Sequence, residues 1–224
     1  ADAVTVSEIT AAPSGSDTSG RGTPDAPFQT ATRSMSAAQI GDSVHLMAGN
    51  YGPLETWPLR NGGGNQPLQG ISLRGDGPGS TVLRGNGAML FANPVASSVE
   101  AKTIGGFISC ISGSSMILRN LSLDDCAMLG IGVQDSTTIE DTTVRSPAVG
   151  IWIQPMAAGD TVLRRVQVHS TAAQTVDGWE GIRIHPNPNA GTGNIVVEDS
   201  AILDPIADRF VGAIDIETRA EAVH

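Results

Sequence analysis

A chain of 224 residues with a single lysine, Lys102, has little with which to grip a polyanion. Lysine and arginine together number 13 against 23 acidic residues, a formal charge of −10. Nucleic acid, whose phosphates call for clustered cations, is therefore not an expected partner. An acidic surface reads first as a device for solubility and second as a place for divalent cations, so calcium is a compatible cofactor and none is required. Charged residues are scarce at 16% and aromatic ones at 4%, while glycine (27) and proline (13) are plentiful. That balance fits many short strands joined by tight turns, and argues against disorder. No apolar run reaches the roughly 18 residues of a membrane-spanning helix. The chain opens on Ala1-Asp2-Ala3 without methionine. This reads as the product of a signal-peptidase cut at a small residue, and equally as a boundary of other origin.

What is present is a repeat. Four closings of the form Gly/Ala-Ile-x-Ile/Val occur between Ile117 and Glu217: Gly130 to Val133, Gly150 to Ile153, Gly181 to Ile184 and Ala213 to Ile216. They start 20, 31 and 32 residues apart. Each follows two short strand-like runs separated by Asn, Asp or Arg. A period in the twenties with tolerated insertions marks a solenoid, and short strands without helical spacing between them favour a parallel β-helix. The expected fold is all-β, a single-stranded right-handed parallel β-helix over residues 1–224. Within it, 1–41 form an N-terminal cap, 42–217 the coils and 218–224 a tail. The cap is read as a helix over residues 25–40, with Asp25 at its start, Pro27 in its first turn and Phe28 and Met35 facing inward. Residues 4–6 read as a first strand. In such a fold Cys110 and Cys126, 16 residues apart, read either as a disulfide across neighbouring coils of an exported protein or as two small buried apolar residues.

Strand alternation assigns the faces. Ile131, Ile151, Ile182 and Ile214 point inward, which leaves two outward columns. One is Gly132, Trp152, Arg183 and Asp215; its neighbour is Gln134, Gln154, His185 and Glu217. Trp152 is placed to lie flat on a sugar ring, with Gln134, Gln154, Arg183, His185 and Glu217 as hydrogen-bonding partners. Catalytic candidates are sparse. Arg183 beside Asp215 is the arrangement a lyase base needs, though an ion pair along a ladder explains it as well. Adjacent Asp124 and Asp125 offer carboxylates for hydrolysis, and sit equally well in an inter-strand turn.

The opening of the chain resembles a known family. Gly15-Ser16-Asp17, Ala26-Pro27-Phe28-Gln29-Thr30, Gly41-Asp42-Ser43-Val44 and Ala48-Gly49-Asn50-Tyr51 occur in the order and spacing of an N-terminal domain of unknown function. That domain is common in bacterial secreted proteins of the right-handed parallel β-helix (pectin-lyase-like) superfamily. Glu55-Thr56-Trp57-Pro58-Leu59 and Leu73-Arg74-Gly75 continue the match. The resemblance covers residues 4–85 and implies the fold together with a secreted, periplasmic or cell-surface location. It implies no one activity, because the superfamily holds lyases, hydrolases and proteins without known activity. Asp124-Asp125 and Gly181-Ile182-Arg183-Ile184 resemble two of the four motifs of polygalacturonase-type members, and the other two are missing. The expectation is a structural or carbohydrate-binding module, whose partner is a polysaccharide or another extracellular chain. A lyase or hydrolase acting on acidic polysaccharide is the alternative.

Overall fold

The computed structural model describes residues 7–60, 68–85, 109–126, 129–146, 149–154, 159–170, 179–185, 193–203 and 210–216. After β1 (Glu8–Ala11) and a helix, α1 (Ala31–Ala37), the chain makes repeated circuits of three short strands. The first circuit is β2 (Ser43–Leu46), β3 (Gly49–Tyr51) and β4 (Leu68–Gln69). The second is β5 (Ser72–Arg74), β6 (Thr81–Arg84) and β7 (Ser109–Ser114). Then follow β8 (Ile117–Arg119), β9 (Ser122–Asp124) and β10 (Leu129–Val133), and after them β11 (Thr138–Glu140), β12 (Thr143–Ser146) and β13 (Val149–Ile153). The last two are β14 (Thr161–Arg164), β15 (Gln167–Ser170), β16 (Trp179–Ile184) and β17 (Ile195–Glu198), β18 (Ala201–Leu203), β19 (Phe210–Ile216).

Each circuit gives one strand to each of three sheets, in the orders β1-β2-β5-β8-β11-β14-β17, β3-β6-β9-β12-β15-β18 and β4-β7-β10-β13-β16-β19. Every strand pairing is parallel. This is a parallel β-helix, and parallel crossovers take the right hand in nearly all cases.

The register confirms the interior columns. Ile111, Ile131, Ile151, Ile182 and Ile214 are aligned partners on successive strands. The first four are buried, whereas Ile214 is 47% exposed. The reason is position: β19 ends its sheet's order, so no described strand covers it. Val44, Leu73, Leu118, Ile139 and Leu163 form a second column, and Leu83, Leu123, Val144 and Val168 a third. All of these are buried in one continuous core.

Between the first two strands of a circuit the chain turns on one left-handed residue: Asn120 (φ 57°), Asp141 (φ 47°), Arg165 (φ 53°) and Asp199 (φ 48°). Non-glycine residues pay for this conformation, and Asn and Asp pay least. Part of the compensation is a bond to the next circuit. The amides of Asn120, Asp141 and Arg165 donate to the carbonyls of Glu140, Arg164 and Glu198. These are the Asn, Asp and Arg positions that punctuate the sequence repeat.

The N-terminal region departs from expectation at its helix. The expected strand at residues 4–6 lies outside the described residues, and the first described strand is β1 at 8–11. The helix is α1, seven residues long and capped by Thr30, rather than 25–40. Residues 25–29 do not join the helix: Asp25 lies in the turn closed by the Ala26 amide donating to Thr23, and the Phe28 amide donates to Thr10 while its carbonyl accepts from Ala12. Met35 does face inward, and α1 packs against β1 and β2. Cys110 and Cys126 form a disulfide with 5.4 Å between Cα atoms.

Candidate functional site

The outward column exists in the register the alternation dictates. Ser112, Gly132, Trp152, Arg183 and Asp215 are successive partners across β7, β10, β13, β16 and β19. Close packing at the start of the strand explains the glycine of two closings, Gly130 and Gly150. A Cβ on Gly130 would run into Val144 Cγ1 and lie 2.6 Å from the Gly150 carbonyl oxygen. On Gly150 it would run into Val168 Cγ1 and lie 2.6 Å from the Gly181 carbonyl oxygen. Bare backbone is needed where these circuits pack this tightly.

Trp152 corrects one expectation. It sits on the outer side of its sheet yet is only 5% exposed, packed with Leu129 and Val149 in a cluster apart from the main core. The guanidinium of Arg183 lies over its ring, 5.1 Å from the centroid, and the His185 ring lies 6.1 Å away at 57°. A ring so covered offers no open face for a sugar. Its Nε1 is buried without a hydrogen-bond partner, as is Ser170 Oγ. Trp152 therefore supports Arg183 from below.

The neighbouring column is more accessible. Gln134, Gln154 and His185 each follow the end of a strand, and their amides donate to Gly113, Val133 and Ile153 at 3.0, 2.8 and 2.9 Å. The three therefore stack at one turn on successive circuits, with Gln134 exposed and Gln154 and His185 half-buried. Glu217, expected fourth in this column, lies outside the described residues.

The carboxylates proposed for hydrolysis lie elsewhere. Asp124 ends β9, where its Oδ1 accepts from Arg145 Nη1 at 3.1 Å and its Oδ2 lies 3.7 Å from Arg84 Nη2. Asp125 turns the chain at φ 53°, with Oδ2 3.7 Å from Arg84 Nη1. They belong to a different sheet from Arg183 and Asp215, so the fold does not gather the four candidates into one centre. Among the described residues no three His, Cys, Asp or Glu side chains converge on a cation site.

The opening motifs prove to be joinery. Asp17 accepts from the amides of Gln29 and Thr30 at 2.8 and 3.1 Å and from Thr30 Oγ1 at 2.8 Å. Glu55 accepts from the amides of Ala31 and Thr32 at 2.9 and 2.7 Å and from Thr32 Oγ1 at 2.6 Å. Burial pushes the Glu55 carboxyl up from its ordinary value despite these bonds. The Tyr51 hydroxyl donates to the carbonyls of Ala11 and Met47. Sequence reasoning did not find the cleft of about 380 Å³ that Glu55 shares with Trp57, Arg84 and Asp125.

Three parallel sheets wound from stacked three-strand circuits define a parallel β-helix protein. A family profile described as "Protein of unknown function (DUF1565)" matches residues 13–207, and the chain belongs to that family. The match extends well past the 4–85 that carry the resemblance in the sequence. No curated protein matches the chain. Among solved structures it is similar to a pectin methylesterase variant in complex with hexasaccharide IV, at 13% identity, over 96% of this chain and 68% of that one, with a TM-score of 0.45. A pectin methylesterase in complex with hexasaccharide VII is similar at 11% identity over 98% and 92% of the two chains, with a TM-score of 0.41. No helix among the described residues is long and apolar enough to cross a membrane.

Proposed function

We propose that this protein is an exported β-helix module that binds polysaccharide along the outer face of the sheet β4-β7-β10-β13-β16-β19, within an extracellular or cell-surface assembly. The observation that carries this reading is the stacking of Gln134, Gln154 and His185 at one turn of three successive circuits, beside Arg183. Neighbouring strands are about 4.8 Å apart, so a glycan running along the helix axis meets an equivalent polar side chain at each step. The Cys110–Cys126 disulfide supports an oxidising compartment. Asp124 is held between two arginines and Asp125 in a turn, which favours a binding or structural role over hydrolysis.

The test is binding of acidic and neutral polysaccharides, with ultraviolet absorbance monitored for unsaturated lyase products. Parent protein binds an acidic glycan without turnover, and Arg183→Ala weakens it about ten-fold while Gln154→Ala weakens acidic and neutral glycans alike. Turnover by the parent, abolished in Arg183→Ala with binding intact, replaces this reading with the lyase. If the parent binds no glycan, the structural role alone remains.

A further inference from the structure

We infer that the cleft between the Gly52–Glu55 turn and the end of β6 is a second ligand site, which takes one or two rings of an uncharged sugar. It is built from parts already fixed for other reasons. Pro53 sits at the second position of a turn closed by the Glu55 amide donating to the Gly52 carbonyl at 2.9 Å. That turn aims the Glu55 carboxylate at the start of α1 and leaves Oε1 with a single described bond, from the Ala31 amide. A carboxylate oxygen accepts two. Trp57 packs against the main core and lines the cleft.

The opposite side is set by Gly85, whose amide donates to Asp124 at 2.9 Å. A Cβ there would lie 2.9 Å from Cys110 Sγ and 2.9 Å from Cys126 Cα. The disulfide thus packs directly behind Gly85, and there is no room for a side chain between them. Arg84 and Asp125 complete the lining. Arg84 Nε donates to Asn50 Oδ1 at 3.3 Å. Its two Nη atoms reach Asp124 and Asp125 only at 3.7 Å, which is ion-pair contact beyond hydrogen-bond length. Among the described residues no hydrogen bond ends on either Nη.

The lining chooses the ligand. Two carboxylates and one guanidinium leave a formal excess of one negative charge, and Asp124 behind them shares Arg84. An anionic sugar meets net repulsion, and a cation meets Arg84. An uncharged pyranose fits both: its hydroxyls donate to Asp125 and Glu55 and accept from Arg84, and its C–H face lies against an indole. The volume stands at the lower end of the roughly 300–1,000 Å³ of small-molecule sites. The cleft borders β3, β6 and β9, away from the sheet that carries Arg183, so it stands or falls independently of the polysaccharide face.

The experiment uses the full chain labelled with ¹⁵N and the methyl glycosides of glucose, galactose and mannose, with galacturonate as the acid control. The three tryptophan indole N–H signals, assigned by single Trp→Phe changes, report on Trp57, Trp152 and Trp179. At least one neutral glycoside should shift the Trp57 indole saturably and leave Trp152 unmoved, with galacturonate at least ten-fold weaker. Asp125→Asn keeps a residue suited to the left-handed turn, and Arg84→Gln keeps the bond to Asn50 within reach. Each should weaken the neutral glycoside about ten-fold while the rest of the spectrum is unchanged. The inference is overturned if no neutral glycoside saturates the Trp57 signal, if galacturonate binds equally well, or if both folded variants bind like the parent.

Discussion

Arg183 holds its guanidinium 5.1 Å from the centre of the Trp152 ring, its direct neighbour across β13 and β16. A cation over an aromatic face is worth about 0.5–2 kcal/mol, more as water is excluded. Arg183→Ala should lower stability by about that amount and shift tryptophan emission to the red. Trp152→Ala should cost more, about 3–5 kcal/mol, because it empties a buried site. Urea melts of both variants check this, and a Trp152→Ala protein as stable as the parent would show that the ring is not packed.

Ile182 is 1% exposed and stands between Ile151 and Ile214 in the interior column. An aspartate there has no cation to meet, and an unpaired buried carboxylate costs several kcal/mol. Ile182→Asp should unfold at room temperature or melt far below the parent, as followed by circular dichroism. Ile214→Asp, at the exposed end of the same column, should be tolerated much better.

The interior was legible because it is periodic. One Gly-Ile-x-Ile closing per circuit, with Asn120, Asp141 and Arg165 between strands, carries both the register and the corner in local sequence. The helix start was not, because the competing partners are remote. Thr10 and Ala12 hold Phe28 in place, and Asp17 accepts from the Gln29 and Thr30 amides, so the helix starts behind Thr30 and not at Asp25. Alternation put Trp152 on the outer face correctly. Its burial depends on Leu129 and Val149, which sit before Gly130 and Gly150 and outside the alternating stretch. The cleft is less legible still: Glu55, Arg84 and Asp125 lie about 30–40 residues apart and meet only because circuits stack.

The disulfide closes a 16-residue separation between β7 and the end of β9. By the loop-entropy relation, a bridge of that span contributes about 3 kcal/mol. The Cys110→Ser/Cys126→Ser variant should lose about that much in a denaturant melt, with a slope no shallower than the parent's because its unfolded chain is less constrained. The reduced parent should match it. An equal midpoint for oxidised and reduced protein would mean that the bond constrains little in the unfolded chain.

Two carboxyls should give the stability curve opposite slopes. The hydrogen bond to His45 foremost, and then the Ala48 amide, hold Asp76 below the usual carboxylate range. The unfolded chain then binds the proton first on acidification. The contribution is present above the ordinary Asp value of about 3.9 and is lost as pH falls through the lower folded value. Burial pushes Glu55 the other way. Its contribution is complete below the ordinary Glu value of about 4.3 and is lost as pH rises through the higher folded value. Asp76→Asn should flatten the acid limb of stability against pH, and Glu55→Gln the decline above it. Thermal melts from pH 2 to 7 would show both, and a variant that keeps its parent's limb would remove that residue from the account.

The last prediction concerns what covers the first circuit. β1 pairs with β2, and α1 packs across both with Ala31, Met35 and Ala38 buried. Deleting residues 1–40 strips both elements and bares the β2 edge, with Val44 and Leu46 beneath it. An open parallel edge over apolar side chains invites pairing with another copy, so the truncated chain should elute as soluble aggregates in size exclusion with light scattering. Asp17→Ala is the gentler probe. It leaves the Gln29 and Thr30 amides and the Thr30 hydroxyl without their shared acceptor, at a cost of about 1–3 kcal/mol, while the protein should stay monomeric. If the truncated chain is monodisperse and melts like the parent, the helix is not a cap. The circuits from β2 onward would then stabilise themselves, and the Asp17 bonds would serve only to order the segment that carries them.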